Sequence, residues 1–530
     1  MREETSGRSR RRRRPIEKVH YDSLNRALGS NGEDEEDPDG SWETANPIDS
    51  TTGLFYDPSS SSSNNGADWS DLVPSLLKHG YKSALGGLGE DDEDILSKNP
   101  LLLMERSYTP PPIRQQLLEI LMEEGDVPAV FFGRDATMAC YSCGRTTSTV
   151  IDIGYSGTTV TPVYEGYVEQ KGIRRSPLGS AAMDEMTLSQ LESLLVSIQQ
   201  QTSTKKSKEL MPLYQVFQKR QSGQITKRRD EFHRLGLLNI ARQCREAGAG
   251  QSINTAASKT LQVPSMSFSL PDGQTVDIPS MNRFAVAELV VGQPQDSVDK
   301  DKKNETPSNP REKALEAAQK QYSFILETAS SSTQADDGDD DEDDDDMSVD
   351  SEEASKYTEA TAVGVSSRRA KRAPRGKTKK QAPKKTKSKN KKVSFHNNVL
   401  QQACVPYLQT LSEQLTASPI ANMVCDAAFR CDRDQQASVL GNVVLAGGGA
   451  CIGPTDQAVP DLLREQIEAI IHTHTPGWRV KILSPAMQER AICSWLGGSI
   501  LASLGTFHDM WITKAEYEEW GSAIVNRKCP

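Results

Sequence analysis

Two glycine-rich turns, about 290 residues apart, carry the residue types that could do chemistry. The first is Asp152-Ile153-Gly154-Tyr155-Ser156-Gly157-Thr158. Gly154 and Gly157 leave backbone N–H groups free to face an anion, so Gly154, Ser156, Gly157 and Thr158 are phosphate-facing candidates. Asp152 ends the preceding strand and is the residue type that holds a hydrated divalent cation. The second turn is Gly447-Gly448-Gly449. An Asp-x-Gly turn between strands is also the composition of an ordinary hairpin, and it is the second turn that raises the phosphate reading.

Elements on either side must position these turns. Residues 149–163 read as strand, tight turn, strand, with β-branched residues flanking Gly and Ser. Residues 442–446 read as a buried strand, and a helical segment follows the triple glycine. Upstream, Trp69 opens an apolar-periodic helix through Val73, Leu76 and Leu77, and 101–105 read as a strand. Prolines 110–112 precede an amphipathic helix over 113–124, then a strand over 128–132 and a helix over 136–142. Residues 187–247 read as helical and charged, Pro271-Asp272-Gly273 as a turn, and 421–429 as a buried helix.

Length and charge divide the chain further. At 530 residues one core is too few, and 36% apolar content is low for a wholly globular chain. The net charge of −11 is unevenly placed. Residues 336–353 hold 13 acidic side chains in 18 positions, and 368–392 hold 14 basic ones in 25. Such blocks repel and offer nothing to bury, which predicts disorder across 293–398. Residues 1–66, with arginines at 8 and 10–14 and an acidic stretch near 33–39, read the same way. That leaves folded regions at 67–292 and 399–530. Arg368, Arg369, Lys371 and Arg372 begin the stronger nuclear-signal candidate. Nine cysteines without a regular framework suggest reduced thiols, and no apolar run reaches membrane-spanning length.

The two turns, in this order, are followed by Ser494-Trp495-Leu496-Gly497-Gly498-Ser499-Ile500-Leu501-Ala502-Ser503-Leu504, by Met510-Trp511-Ile512 and by the ending Arg527-Lys528-Cys529-Pro530. The combination closely resembles the actin superfamily. Gly166-Tyr167-Val168, Gln170-Lys171-Gly172, Ser176-Pro177-Leu178-Gly179 and the Lys-Cys-Pro end look like its nuclear actin-related protein 4 branch. The resemblance implies an α/β, actin-like ATPase fold (RNase H-like, Hsp70-like) of two related lobes around a nucleotide cleft, with long disordered insertions. It implies ATP with Mg2+, held as a structural ligand.

The resemblance also marks departures. The family's water-orienting amide falls on Asp135, an acidic residue of the hairpin falls on Tyr155, and the adenine-packing lysine falls on Ala491. Nothing in 1–66 matches the strand and glycine-rich loop that open family chains. The helix-accepting groove between subdomains would be lined by Tyr141, Gly144, Thr146, Leu501, Leu504, Thr506 and Met510. The implied function is a non-catalytic nuclear subunit of chromatin-remodelling and histone acetyltransferase complexes. Its implied partners are actin, a helicase-SANT-associated scaffold helix and histones, with nucleosomal DNA reached indirectly and no membrane. The alternatives are an ATP-hydrolysing, filament-forming actin-like protein and a cytoplasmic dynactin-type relative.

Overall fold

A computed structural model describes residues 52–54, 69–84, 95–202, 209–222, 230–249, 264–292, 309–331, 397–453 and 455–530. Arg368, Arg369, Lys371 and Arg372, the acidic run and the N-terminal arginines lie outside them. The strands are β1 (Leu101–Glu105), β2 (Ala129–Arg134), β3 (Ser148–Ile153), β4 (Thr158–Tyr164), β5 (Tyr167–Val168), β6 (Arg174–Ser176), β7 (Met266–Ser269), β8 (Thr275–Ile278), β9 (Asn442–Ala446), β10 (Lys481–Leu483) and β11 (Ile512–Thr513). The helices that bear on the site are α1 (Asp135–Ser142), α2 (Ser180–Thr202), α3 (Asp230–Cys244), α4 (Pro310–Ser331), α5 (Ile420–Phe429), α6 (Ala458–His474) and α7 (Cys493–Ala502).

The largest sheet runs β10-β9-β3-β4-β5, with β6 also paired to β4. β3 pairs antiparallel with β4 (Asp152 opposite Thr159, Ile153 opposite Thr158) and parallel with β9 (Val150 opposite Val444, Asp152 opposite Ala446). Such a central strand is buried on both faces, which is why Thr149-Val150-Ile151 reads as an unbroken apolar and β-branched run. Ile151, Ile153, Val443 and Leu445 face the core formed with α5 and α6. Val150, Val444 and Ala446 face Ala136, Ala139, Cys140 and Cys493, contributed by α1 and α7. A smaller sheet, β1-β2-β11, has β1 and β2 parallel, with Glu105 opposite Arg134. The β7-β8 hairpin turns at Asp272-Gly273, where Gly273 takes a φ of 87°, and packs through Leu270, Val276 and Ile278 on Leu191, Leu195 and Ile240 of α2 and α3.

Two findings cut into the expected disordered segments. α4 lies inside 293–398, yet Ala318, Tyr322 and Ile325 are buried at helical spacing and the Arg311 guanidinium donates to the carbonyls of Leu289, Val290, Ala417 and Ser418. Its apolar stripe was hidden beside the acidic run. Within 1–66, Thr52, Gly53 and Leu54 are buried, and the Thr52 carbonyl accepts from Arg175 Nη2 at 2.7 Å and from the Tyr108 hydroxyl at 3.1 Å. Three residues are too few to show periodicity. The helix expected over 113–124 runs Pro111–Glu119 and continues as a π-helical turn, Ile120–Glu124.

Candidate functional site

The carboxyl ends of parallel strands are where α/β folds place ligands. Four of them converge here. β1 ends at Glu105 and is followed by Arg106, β2 by Asp135, β9 by Gly447, and β3 carries Asp152 as its penultimate residue. The neighbouring ends of β1 and β2 bring Arg106 and Asp135 side by side, and Arg106 then reaches across to the large sheet. One guanidinium nitrogen, Nη1, donates to Asp152 Oδ2 at 2.6 Å and to Asp135 Oδ2 at 3.3 Å. Burial works against the charge of Arg106, but Asp152, Tyr108 and Asp135 together outweigh it and hold the guanidinium above its ordinary pKa. Burial pushes the Asp152 carboxyl above the usual carboxylate range, with Arg106 pulling it down.

Asp135 is saturated. Its Oδ1 accepts from the Ser107 N–H at 2.9 Å, the Ser107 hydroxyl at 2.5 Å and the Ala136 N–H at 2.7 Å. The Ala136 contact lies at the start of α1, where a carboxylate satisfies an otherwise unpaired helix donor. With Arg106 on its other oxygen, this carboxylate is held by four donors and ties the segment at Ser107 to the start of α1.

The groove residues fall on two elements that cross. Tyr141 lies in the last turn of α1, and Gly144 and Thr146 follow the helix; the Thr146 carbonyl accepts from the Gly166 N–H at 2.7 Å, and the Tyr141 hydroxyl lies over Gly166. Leu501 is on α7, and Leu504, Thr506 and Met510 follow it. α1 and α7 touch so closely that the Ser494 hydroxyl donates to the Asp135 carbonyl at 2.9 Å. Phe507 is buried edge-on against Phe131 and Trp511, which leaves Leu504 and Thr506 outside. Trp495, Ile500 and Leu504 are 61%, 46% and 50% exposed, and residues 491–507 contain no charge.

Beside this surface lies a thiol of unusual character. The Ser142 hydroxyl sits 2.9 Å from Cys493 Sγ and 3.7 Å from Cys143 Sγ. Hydrogen bonding from Cys493 overcomes burial and lowers the Cys143 thiol to about 7, whereas burial raises Cys140, Cys404 and Cys425 to about 12. Cys143 is also only half-buried. It is expected to alkylate before every other cysteine, its iodoacetamide rate rising through about pH 7 as the thiolate forms. Peptide mapping after a short pulse checks this.

The sequence profile of the family described as Actin matches residues 66–339 and 373–530. The chain belongs to the actin family. Its similar relatives include Actin-related protein 4 of Oryza sativa subsp. indica, 25% identical over 468 residues, covering 87% of this chain and 76% of the relative. Actin-related protein 4 of Arabidopsis thaliana is 25% identical, covering 88% and 77%. Actin-related protein 4 of Schizosaccharomyces pombe is 25% identical over 445 residues, covering 82% and 77%.

An actin-family fold implies ATP and Mg2+. Asp152 does not fit a divalent cation as it stands, because its Oδ2 is already paired with the Arg106 guanidinium at 2.6 Å. The Gly154 N–H is committed to the Gly157 carbonyl at 2.9 Å, and the Thr158 hydroxyl is buried and donates to the Leu178 carbonyl at 2.7 Å. Gly447, at φ 93°, donates to the Arg490 carbonyl at 2.8 Å. A Cβ on Gly157 would lie 2.5 Å from the Ser176 carbonyl, and one on Gly449 would lie 2.6 Å from Ile153 Cγ2. Close packing therefore requires glycine at several of these positions whether or not phosphate is present. Ser156 is half-buried, and Gly448 has room for a side chain beside Ala491.

Sequence reasoning missed Arg106 and Ser107, the residues that organise this cleft. The available signal was a cation directly after a strand expected to end at the cleft. Its partners stand 29 and 46 residues away, so no local pattern marks it. Among the described residues, no group of three or more metal-ligating side chains is found and no helix is long and apolar enough to cross a membrane.

Proposed function

We propose that this chain is a non-catalytic nuclear actin-related subunit of SWI/SNF-type remodelling and NuA-type histone acetyltransferase complexes. In that reading its groove takes the helicase-SANT-associated helix of a scaffold subunit, beside actin, and the assembly contacts histones. The observation that carries it is the uncharged surface along α7, with Trp495, Ile500 and Leu504 outward, since exposed apolar surface of this kind marks docking sites. An amphipathic helix presenting apolar residues at helical spacing is the partner such a strip accepts. The relatives named Actin-related protein 4 support the branch, and the basic run at 368–392 supports nuclear entry.

The test uses the full chain and a peptide of the scaffold helix. Ile500→Asp with Leu504→Asp is expected to weaken binding by at least about 30-fold, as loss of a hot spot does, with melting unchanged because both side chains are half-exposed. Unchanged affinity removes the groove from the reading. The same preparations, free of actin and given ATP, are expected to release phosphate no faster than buffer, because Asp135 is held by its four donors. Turnover that disappears in Asp152→Ala would restore the enzyme reading.

A further inference from the structure

We propose that Arg106 is a built-in counter-cation: its guanidinium takes the place at Asp152 where a divalent ion would sit, and it closes this cleft to magnesium and manganese. Divalent ions bind carboxylate oxygens at about 2.0–2.6 Å. Arg106 Nη1, 2.6 Å from Asp152 Oδ2, stands at the edge of that space. The same nitrogen reaches Asp135, so one fixed positive charge serves two carboxylates that come from different sheets, as a bridging metal would.

The surroundings are built around the guanidinium. Gly154 makes room for it, since a Cβ there would fall 3.2 Å from Arg106 Nη2. The Arg106 carbonyl accepts from Arg134 Nη1 at 3.4 Å, which ties the backbone that carries it. Gly447 packs beside the other Asp152 oxygen, where a Cβ would collide with it, so the Arg106 contact at Oδ2 is the one an incoming ion must break to bridge Asp152 and Asp135. An ion would also have to displace a cation tethered to the same chain, whose effective concentration does not fall on dilution. It would meet guanidinium repulsion if it did not. The side chains of Arg106, Asp152 and Asp135 are 30%, 20% and 14% exposed, so solvent ions can reach the pair and compete with it. This holds whether or not the groove on α7 binds a helix.

Titration of the full chain with Mn2+, read by electron paramagnetic resonance, tests it. Wild-type chain and Asp152→Asn are expected to give superimposable isotherms, because the acidic run of 336–353 takes up the ion equally in both. A class of Mn2+ present in the wild type and missing from Asp152→Asn would overturn the proposal. Arg106→Gln is expected to gain a class at least about tenfold tighter, once the fixed charge is gone, and to lose it when Asp152→Asn is added. A folded Arg106→Gln chain that gains none would also overturn it, since the carboxylates would then form no cation site. Circular dichroism confirms folding of each variant, and the comparison of wild type with Asp152→Asn decides alone if Arg106→Gln does not fold.

Discussion

Replacing Gly497 by alanine is expected to cost about 3 kcal/mol or more of folding stability, the upper end for overpacking a core. α7 crosses α1 at this residue. A Cβ on Gly497 would lie 2.5 Å from the Met138 carbonyl carbon and 3.0 Å from its Cα, and closer still to its oxygen. Those atoms are backbone, so no rotamer change relieves the collision. The helix-propensity gain of about 1 kcal/mol for Gly→Ala does not offset it. The neighbouring Gly498→Ala provides the contrast. Its methyl would meet the side chains of Met104 and Leu102, which can move, and a loss near 1 kcal/mol is expected. Urea denaturation of both variants checks the pair, with midpoints separating and slopes staying alike. Equal losses would mean that the helices slide apart freely.

Arg490→Met is expected to cost about 3 kcal/mol or more, since each buried acceptor stripped of its donor costs about 1–3 kcal/mol. Arg490 is fully buried and donates to the carbonyls of Pro485 at 3.2 Å, Ala450 at 2.9 Å and Asp456. Its own carbonyl holds Gly447. Methionine fills much of the volume but strips the donor from the Ala450 and Asp456 carbonyls and leaves the Pro485 carbonyl with the Ser484 hydroxyl at 3.3 Å. Arg490→Lys should recover little, because an ammonium on a flexible stem cannot satisfy three carbonyls in a planar fan. The second glycine turn is expected to loosen first, seen as faster amide exchange at 447–450 at denaturant concentrations where the rest of the chain holds.

Much of the fold was legible because it rests on local rules. The β3-β4 hairpin announced itself by β-branched strands around glycines, and β9 by an apolar run ending in three more. The helix at 310–331 was lost for a physical reason: its buried face, Ala318-Tyr322-Ile325, is thin and stands beside the densest acidic run in the chain. The candidate cleft was half legible. Asp152, Gly154 and Gly447 lie near one another at the end of the large sheet, but what each touches could not be read, because Arg106 and Arg490 act across the fold rather than along it. Buried arginines bonded to carbonyls, as at Arg175, Arg311 and Arg490, leave no spacing pattern at all.

The parallel pairing of β3 with β9 has a consequence for how the chain is made. Val150 must wait for Val444, nearly 300 residues downstream. At translation rates of roughly 5–20 residues per second, that is a delay of about 15–60 s during which the hairpin has one open edge. An unpaired, apolar strand edge is a template for the wrong partner. The yield of this protein is therefore expected to respond to chaperone supply during the interval before β9 leaves the ribosome, more than to the stability of the finished molecule.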